Sequence, residues 1–286
     1  MHTLLKMMTT GCLAVCVCAS ALAAEPAVVA EPVPAHESFT MDTSVPKETR
    51  RINVYTPPGY DAARGTRYPV LYMLDGGLQE DFPHVASSVD AAIRAGEMRP
   101  VLVVGIENTQ RRRDMTGPTT FAEDRKIAPV VGGSAQFRAY IADELMPLIR
   151  KRYRASDETG IIGESLAGLF VVETFFEQPK LFDVYIALSP SLWWNQDALV
   201  QAAEPRLKAG GFGRRTLLLS SANEDNIAPQ TARLADALRA VAPKGLTWRY
   251  DPRPDLRHST IYRALSPQLL RDAFPPETGA GSRQAK

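Results

Sequence analysis

Cysteine and histidine are scarce in this sequence, and both shortages exclude kinds of chemistry. The 286-residue chain has three cysteines, Cys12, Cys16 and Cys18, all near the N-terminus. Once an N-terminal segment is removed, no disulfide, thiol nucleophile or cysteine-ligated metal remains. Four histidines are too few for a cluster of imidazole ligands, so we expect no metal site. The glycine pairs at 76–77 and 132–133 match neither a phosphate loop nor a dinucleotide fingerprint, so we expect no cofactor.

An excess of one charge sign and a long apolar run are also absent. The 33 Lys and Arg residues nearly balance the 32 Asp and Glu residues, which gives a formal net charge of +1. This balance favours neither a nucleic-acid partner nor an anionic membrane surface. After the N-terminal segment, no run reaches the roughly 18 apolar residues of a membrane-spanning helix, so we expect no integral membrane segment. The composition, 45% hydrophobic and 23% charged, is typical of a globular protein with a sizeable core.

The first 24 residues have the pattern of a secretory signal peptide. Lys6 gives a short basic start, an apolar stretch follows, and the segment ends in small residues, with a cleavage site at 21–23 or 22–24. Lipoprotein processing at Cys16 is a weaker alternative, because Val15 is larger than the residue expected before a lipidated cysteine. The pattern therefore predicts a periplasmic or secreted protein.

Beyond this segment the sequence predicts one domain of alternating strands and helices. A Pro- and Ala-rich flexible leader covers residues 25–37, the domain covers 38–275, and a disordered tail covers 276–286. Continuous apolar runs indicate buried strands, and amphipathic runs indicate helices. The predicted strands are 50–58, 68–77, 99–107, 159–164, 184–190, 215–221 and 246–251, and the predicted helices are 134–154, 166–178, 229–242 and 260–273. This alternation predicts an α/β fold, a mostly parallel central sheet with helices on both faces, whose site lies at the carboxyl ends of the strands.

The segment TGIIGESLAGLFVVETFF, residues 159–176, places a serine between a buried strand and a helix. That context is typical of a nucleophile elbow, with Ser165 as the nucleophile. So tight a turn needs small residues two positions before and two positions after the serine, and Gly163 and Ala167 meet this need. Gly168 would let the helix pack closely on the sheet. The alternative is a serine that only caps the helix.

A serine nucleophile needs a base, because a neutral hydroxyl is weakly nucleophilic. In the chain order of α/β hydrolases the base is a histidine after the serine, and the acid lies between them. His258 is the one histidine C-terminal to Ser165, and we predict it in the loop before the final helix. Glu224 and Asp225 follow the preceding strand, and we prefer Glu224. Asp255 is a third candidate, disfavoured because it is so close to the histidine.

The oxyanion formed during ester hydrolysis needs two preorganised donors. One is the backbone N–H of Leu166, at the positive end of the following helix. The other is expected from the loop after the first buried strand, where we choose Gly77 and where Gly76 lets the backbone approach. The alternative for this Asp-Gly-Gly stretch is an ordinary turn.

Several segments together resemble the esterase-D-like esterases, and within them the periplasmic branch that hydrolyses the trilactone siderophores enterobactin and salmochelin. The segments are YPVLYMLDGG, GIENTQRRRDMTGPT, GSAQFRAYIADELMPLIRKRYR, GESLAGLFVVETFFEQPKLFDVYIALSPSLWW and RHSTIYRAL. They occur in the family's order and span nearly the whole predicted domain.

The resemblance implies an α/β-hydrolase fold and a serine carboxylesterase, with Ser165 as nucleophile and His258 as base. It places an acid in the region of Glu224, although some trilactone esterases are described as Ser–His dyads. The chain departs from the family pattern at Ala167, where glycine is usual, and at Gly117, an extra residue in the R-x-R-D-x-T-P run.

Two residues are candidates for substrate binding. Arg113 lies on a loop after a buried strand and could neutralise an acidic or catecholate substrate, and the alternative is a structural pair with Asp114. Trp193 and Trp194 follow a strand end, where an aromatic face could line an acyl or aryl pocket. Packing beneath the loop is the alternative for one of the two tryptophans.

The leading hypothesis is an exported serine ester hydrolase for a small-molecule ester: a siderophore lactone, a feruloyl-type aryl ester or a simple acyl ester. An acyltransferase on the same scaffold would pass the acyl group to a hydroxyl instead of water. A non-catalytic binding protein would keep the fold without the chemistry, but the joint presence of Ser165, His258 and an acid argues against it. A peptidase is a further alternative, since the triad alone does not exclude amides.

Overall fold

The computed structural model describes residues 32–277. The predicted signal peptide, residues 1–24, lies outside the described residues, as do most of the predicted leader and tail. The first strand begins at His36, so the last two residues of the predicted leader, 25–37, belong to the sheet instead of a flexible segment. The last helix ends at Ala273, close to the predicted end of the domain.

The described residues contain one eight-stranded sheet. Its strands are β1 His36–Thr43, β2 Glu48–Tyr55, β3 Tyr68–Met73, β4 Leu102–Ile106, β5 Ala155–Glu164, β6 Val184–Leu188, β7 Thr216–Ser221 and β8 Thr247–Pro252. Their spatial order is β1-β2-β4-β3-β5-β6-β7-β8. The pairs β1–β2 and β2–β4 are antiparallel, and every pair from β4 to β8 is parallel. The sheet is therefore mostly parallel, as predicted, and β1 was missed because most of its residues are exposed and polar.

Helices occupy both faces of this sheet. They are α1 Phe82–Arg94, α2 Arg111–Asp114, α3 Ser134–Tyr140, α4 Met146–Arg152, α5 Leu166–Glu177, α6 Trp194–Gln201, α7 Ala203–Ala209, α8 Ala228–Val241 and α9 His258–Ala273. A π-helical turn, Ile141–Leu145, joins α3 to α4, which accounts for the single long helix predicted there. The sequence pattern did not identify the helices α1, α2, α6 and α7.

Side chains of the central strands alternate between two apolar cores. In β3, Val70 and Tyr72 join the core that includes α3, α4, α5 and α8, whereas Leu71 and Met73 join the core that includes α1 and α9. Every residue of β3 is buried. Burial on both faces explains why the sequence shows a continuous apolar run there. Full burial of an apolar side chain such as Val70 or Leu71 stabilises the folded state by about 1.5–3 kcal/mol.

The parallel register brings the ends of the central strands side by side. Glu164 at the end of β5 is opposite Leu188 at the end of β6, and Leu188 is opposite Ser220 in β7. The residues that follow these strands therefore share one edge of the sheet, which is where a parallel sheet carries its chemistry. No helix in the described part of the chain is both long and apolar enough to span a bilayer.

Candidate active site

Ser165 stands on a sharp turn between β5 and α5. Its φ of 59° and ψ of −120° are rarely adopted by L-residues and fit a serine held on a nucleophile elbow. A Cβ added to Gly163 would lie 2.7 Å from the Cβ of Ala167, so the turn has no room for a side chain there. A Cβ on Gly168 would lie 3.0 Å from the Leu188 carbonyl oxygen. These contacts are the physical reason for each small residue in the motif.

Backbone hydrogen bonds hold the turn against the next strand. The N–H of Ser165 donates to the carbonyl of Leu188, and the N–H of Ser191 donates to the carbonyl of Ser165, each at 3.0 Å. The Ser165 Oγ lies 3.4 Å from the Ser191 Oγ. Backbone dihedrals of this kind cost about 1–3 kcal/mol, so the surrounding contacts must maintain them.

His258 is paired with a carboxylate across two segments. It is the first residue of α9, not a residue of the preceding loop as predicted, and its Nδ1 contacts Glu224 Oε1. A carboxylate can only accept, so Nδ1 carries the proton in this contact. The Glu224 side chain is 9% exposed, whereas Asp225 is exposed. Asp255 forms an ion pair with Arg253 instead.

The two predicted oxyanion donors differ in the structure. Leu166 is the first residue of α5, where backbone N–H groups have no partner within the helix. The N–H of Gly77, the predicted second donor, donates to Glu80 Oε2 at 2.7 Å in this structure. The sequence could not show this, because the contact depends on how the turn directs the Glu80 side chain back onto the backbone.

Charged groups lie near the peptide bond between Glu164 and Ser165. Arg111 forms two hydrogen bonds with Asp75, at 2.6 and 2.8 Å, and its Nη2 lies 3.4 Å from the carbonyl oxygen of Glu164. Glu164 Oε1 is buried without a hydrogen-bond partner among the described residues. Burial, with the negative charge of Asp81 adding to it, raises the pKa of Glu164 to about 8.

Glu164 should therefore make stability depend on pH. Its folded pKa of about 8 exceeds its ordinary value of 4.5, so between these values the folded chain holds a proton that the unfolded chain has released. The free energy of unfolding falls as pH rises through this window. We expect Glu164→Gln to flatten that fall and to stabilise the protein at pH 8 by on the order of 3 kcal/mol, measured by urea unfolding at pH 5 and pH 8.

The matched control for this measurement is Glu177→Gln, a half-exposed carboxylate on α5 paired with Arg206. It should leave the pH dependence of wild type unchanged. A Glu164→Gln protein that loses stability between pH 5 and 8 as steeply as wild type would contradict the assignment of this proton to Glu164.

A cleft of about 440 Å³ lies beside Arg111. It is lined by Gln110, Arg111, Arg112, Arg113, Ala128, Pro129 and Val130. Arg113 is held by Glu48 and by Asp114, at 2.8 and 2.7 Å, so its contacts favour the structural alternative over a role in substrate charge neutralisation. Arg112 is exposed at the same cleft.

The two tryptophans have different surroundings. Trp194 is 5% exposed, and its indole N–H donates to the carbonyl of Gly117 at 2.9 Å, so it packs beneath the loop. Trp193 is half-buried and packs against the edge of the larger core. Of the pair, Trp193 is the one with surface left for a ligand.

The sequence profile of the Esterase family, described as "Putative esterase", matches residues 43–235. The chain belongs to this family. It is a serine esterase with the α/β-hydrolase fold. This esterase is 29% identical over 237 residues to the ferri-bacillibactin esterase BesA of Bacillus subtilis (strain 168), and the alignment covers 73% of this chain and 80% of that protein.

Two further comparisons extend over most of the esterase. It is 26% identical over 258 residues to the apo-salmochelin esterase of Escherichia coli O6:H1, covering 83% of this chain and 79% of that protein. Its structure matches an IroE-like serine hydrolase from Shewanella oneidensis with a TM-score of 0.76 and 27% identity, covering 84% of this chain and 80% of that chain.

Sequence reasoning missed three features of this site. Arg111 and Asp75 form their ion pair across 36 residues of sequence, which no local pattern reveals. Glu164 occupies the variable position of the serine motif, and its burial depends on neighbouring segments. Ser189, the residue after β6, hydrogen-bonds to Glu224, and a serine after an apolar strand is too common a feature to single it out.

Proposed function

We propose that this esterase is exported and hydrolyses small-molecule carboxylic esters through an acyl-enzyme on Ser165. The observation that carries the proposal is the serine on its strained turn at the same sheet edge as the His258–Glu224 pair. Export rests on the signal-peptide pattern of residues 1–24 and is tested by the N-terminus of protein recovered from the periplasm. Recovery of the uncleaved chain in the cytoplasm alone would contradict export.

In the proposed reaction Ser165 Oγ attacks the ester carbonyl carbon while His258 Nε2 takes the hydroxyl proton. The oxyanion receives a hydrogen bond from the N–H of Leu166. Collapse breaks the bond to the alkoxide, which leaves with the proton from His258. Water then attacks the acyl carbon and gives a proton to His258, the bond to Ser165 Oγ breaks, the carboxylic acid leaves and His258 returns the proton to Ser165. In both steps Glu224 holds the imidazole tautomer and stabilises the imidazolium without taking its proton.

A fluorophosphonate probe tests the nucleophile directly. The protein should gain one covalent adduct, and peptide mass spectrometry should place it on Ser165. The matched control is Ser259→Ala, which removes an exposed serine next to His258 and should leave labelling unchanged. An adduct on Ser191, or no adduct in folded protein, would count against the proposed nucleophile.

The choice between the two adjacent acids is tested by a pair of variants. Glu224→Gln should lower kcat by about 10⁴-fold, because an amide cannot hold the imidazole in the tautomer that accepts the serine proton. Asp225→Asn should leave kcat within about twofold of wild type, because the Asp225 side chain is exposed and surface substitutions have small effects. The reverse pattern in ester hydrolysis would assign the acid to Asp225.

We further propose a siderophore-type lactone as the substrate. Support comes from the relatives, which include a ferri-bacillibactin esterase and an apo-salmochelin esterase. Support from this chain comes from the cleft beside Arg111, whose lining includes three arginines and the apolar residues Ala128, Pro129 and Val130. Positive charge beside an apolar wall suits an anionic aromatic group.

Arg112 tests this assignment because it is the exposed arginine of the cleft. Arg112→Gln should raise KM for a ferric catecholate trilactone by roughly fivefold, since an exposed charge contact is worth about 1 kcal/mol. KM for neutral p-nitrophenyl butyrate should not change. The control is Arg239→Gln on α8, an exposed arginine paired with Asp236. Equal effects of Arg112→Gln on both substrates would argue against an anionic substrate at this cleft.

A further inference from the structure

Ser189 has a backbone conformation that its sequence context disfavours. It follows the last residue of β6 with a φ of 38°, in the left-handed region that a residue other than glycine seldom occupies. It also precedes Pro190, whose ring disfavours helical dihedrals in the residue before it. The side chain is fully buried. A conformation of this kind persists only where surrounding contacts enforce it, and such positions cluster at functional sites.

Those contacts lead to the proposed acid. The N–H of Ser189 donates to the carbonyl of Ser220 at 2.8 Å, which ties the strained residue to β7. The N–H of Ala222 donates to Ser189 Oγ at 3.1 Å, and Ser189 Oγ donates to Glu224 Oε2 at 3.0 Å. The other carboxylate oxygen, Oε1, contacts His258 Nδ1. The N–H of Ala222 thus orients the Ser189 hydroxyl, and this hydroxyl in turn orients the Glu224 carboxylate.

A glutamate needs such an anchor more than an aspartate would. The glutamate side chain has one more rotatable bond. With a contact through Oε1 alone, the carboxylate could rotate about its side-chain bonds and break its contact with the imidazole of His258. A second hydrogen bond at Oε2 removes that freedom before the reaction begins.

We propose that Ser189 is a positioning residue that holds the Glu224 carboxylate in place against His258. The inference rests on the proposed function, in which Glu224 is the acid of the triad. With its left-handed φ, Ser189 places one hydroxyl where it accepts from Ala222 and donates to Glu224 at the same time.

Two substitutions separate the hydroxyl from the backbone. Ser189→Ala removes the hydroxyl and keeps the disfavoured backbone, whereas Ser189→Gly removes the hydroxyl and relieves the backbone. Both should lower kcat for p-nitrophenyl butyrate by about 10- to 100-fold with KM unchanged, the scale seen when an orienting partner is lost elsewhere. If Ser189 served only the turn, Ser189→Gly would keep wild-type kcat, and that result would overturn the proposal.

The matched control is Ser221→Ala. Ser221 is a buried serine at the end of β7 whose Oγ lies 2.7 Å from the hydroxyl of Tyr250. Loss of the Ser221 hydroxyl should lower the thermal stability about as much as loss of the Ser189 hydroxyl, but it should leave kcat unchanged. In a Glu224→Gln background, Ser189→Ala should cause no further loss of kcat, because the group that it positions is already disabled. Multiplicative losses in the double variant would contradict a shared role.

A measurement without substrate keeps this inference separate from the proposed function. The proton on His258 Nδ1 should give a strongly downfield resonance in the proton spectrum of wild type, identified by its absence in His258→Gln. It should disappear in Ser189→Ala and persist in Ser221→Ala. If Ser165→Ala is inactive while Ser189→Ala keeps both the resonance and wild-type kcat, this inference alone is wrong. If Ser165→Ala remains active, the proposed function is wrong whatever the resonance shows.

Discussion

Replacing Ser165 with alanine is expected to lower kcat for p-nitrophenyl butyrate by about 10⁶-fold, the loss measured when a serine protease loses its nucleophile. The substitution removes the oxygen that forms the acyl-enzyme in the proposed mechanism. KM should change little, because the Ser165 hydroxyl adds little to ground-state binding. Steady-state hydrolysis of acetate and butyrate esters, at enzyme concentrations high enough to follow the residual rate, measures the effect.

The neighbouring hydroxyls make the controls for this prediction specific. Ser191 Oγ lies 3.4 Å from Ser165 Oγ, so Ser191 is the residue best placed to replace Ser165 as the nucleophile in this variant. A Ser165→Ala protein that still turns over and is labelled by fluorophosphonate at Ser191 would show that substitute. A Ser165→Ala protein with wild-type activity and no adduct would remove the acyl-enzyme on Ser165 from the proposed mechanism.

Replacing His258 with glutamine should lower kcat by a similar factor, about 10⁶-fold. Glutamine keeps much of the size and polarity of the imidazole but cannot take the serine proton at neutral pH. The Ser165→Ala, His258→Gln double variant should be no slower than either single variant, because the two groups act as a unit. The measurement is kcat for the three variants under one set of conditions.

The control for the base is His36→Gln. His36 is exposed at the start of β1 and hydrogen-bonds to the carbonyl of Pro34, so its loss should leave kcat unchanged. Independent, multiplicative losses in the double variant would be incompatible with proton transfer from Ser165 to His258. Such a result would favour a role for His258 in substrate binding.

The elbow could be predicted from the sequence because its requirements are local. A buried run, small residues around Ser165 and an immediate helix describe the turn completely, and the 2.7 Å approach between a Cβ on Gly163 and Ala167 shows why the spacing is strict. The mostly parallel sheet was predictable for a similar reason, because strands buried on both faces leave continuous apolar runs. Strand β1 was not predictable, because an edge strand with exposed residues leaves no such signal.

The sequence could not decide which of two neighbouring candidate residues makes the contact at the site. Glu224 and Asp225 are adjacent, and which carboxylate reaches the imidazole depends on the direction that the turn after β7 gives each side chain. Arg113 and Arg111 are two positions apart on one short helix, yet Arg113 is held by Glu48 while Arg111 approaches the serine peptide. The sequence also could not show that the N–H of Gly77, the predicted second oxyanion donor, contacts Glu80.

The sequence by itself therefore determined the fold class and the family. It also predicted the kinds of group at the proposed site: one serine on an elbow, one later histidine and an acid between them in the chain. Only the tertiary structure decided which acid contacts His258, which arginine approaches the serine peptide and which hydroxyl hydrogen-bonds to the carboxylate. The physical reason is that periodicity and local sterics record burial and turns along the chain. Contacts between loops arise from segments that only folding brings together, so no local pattern records them.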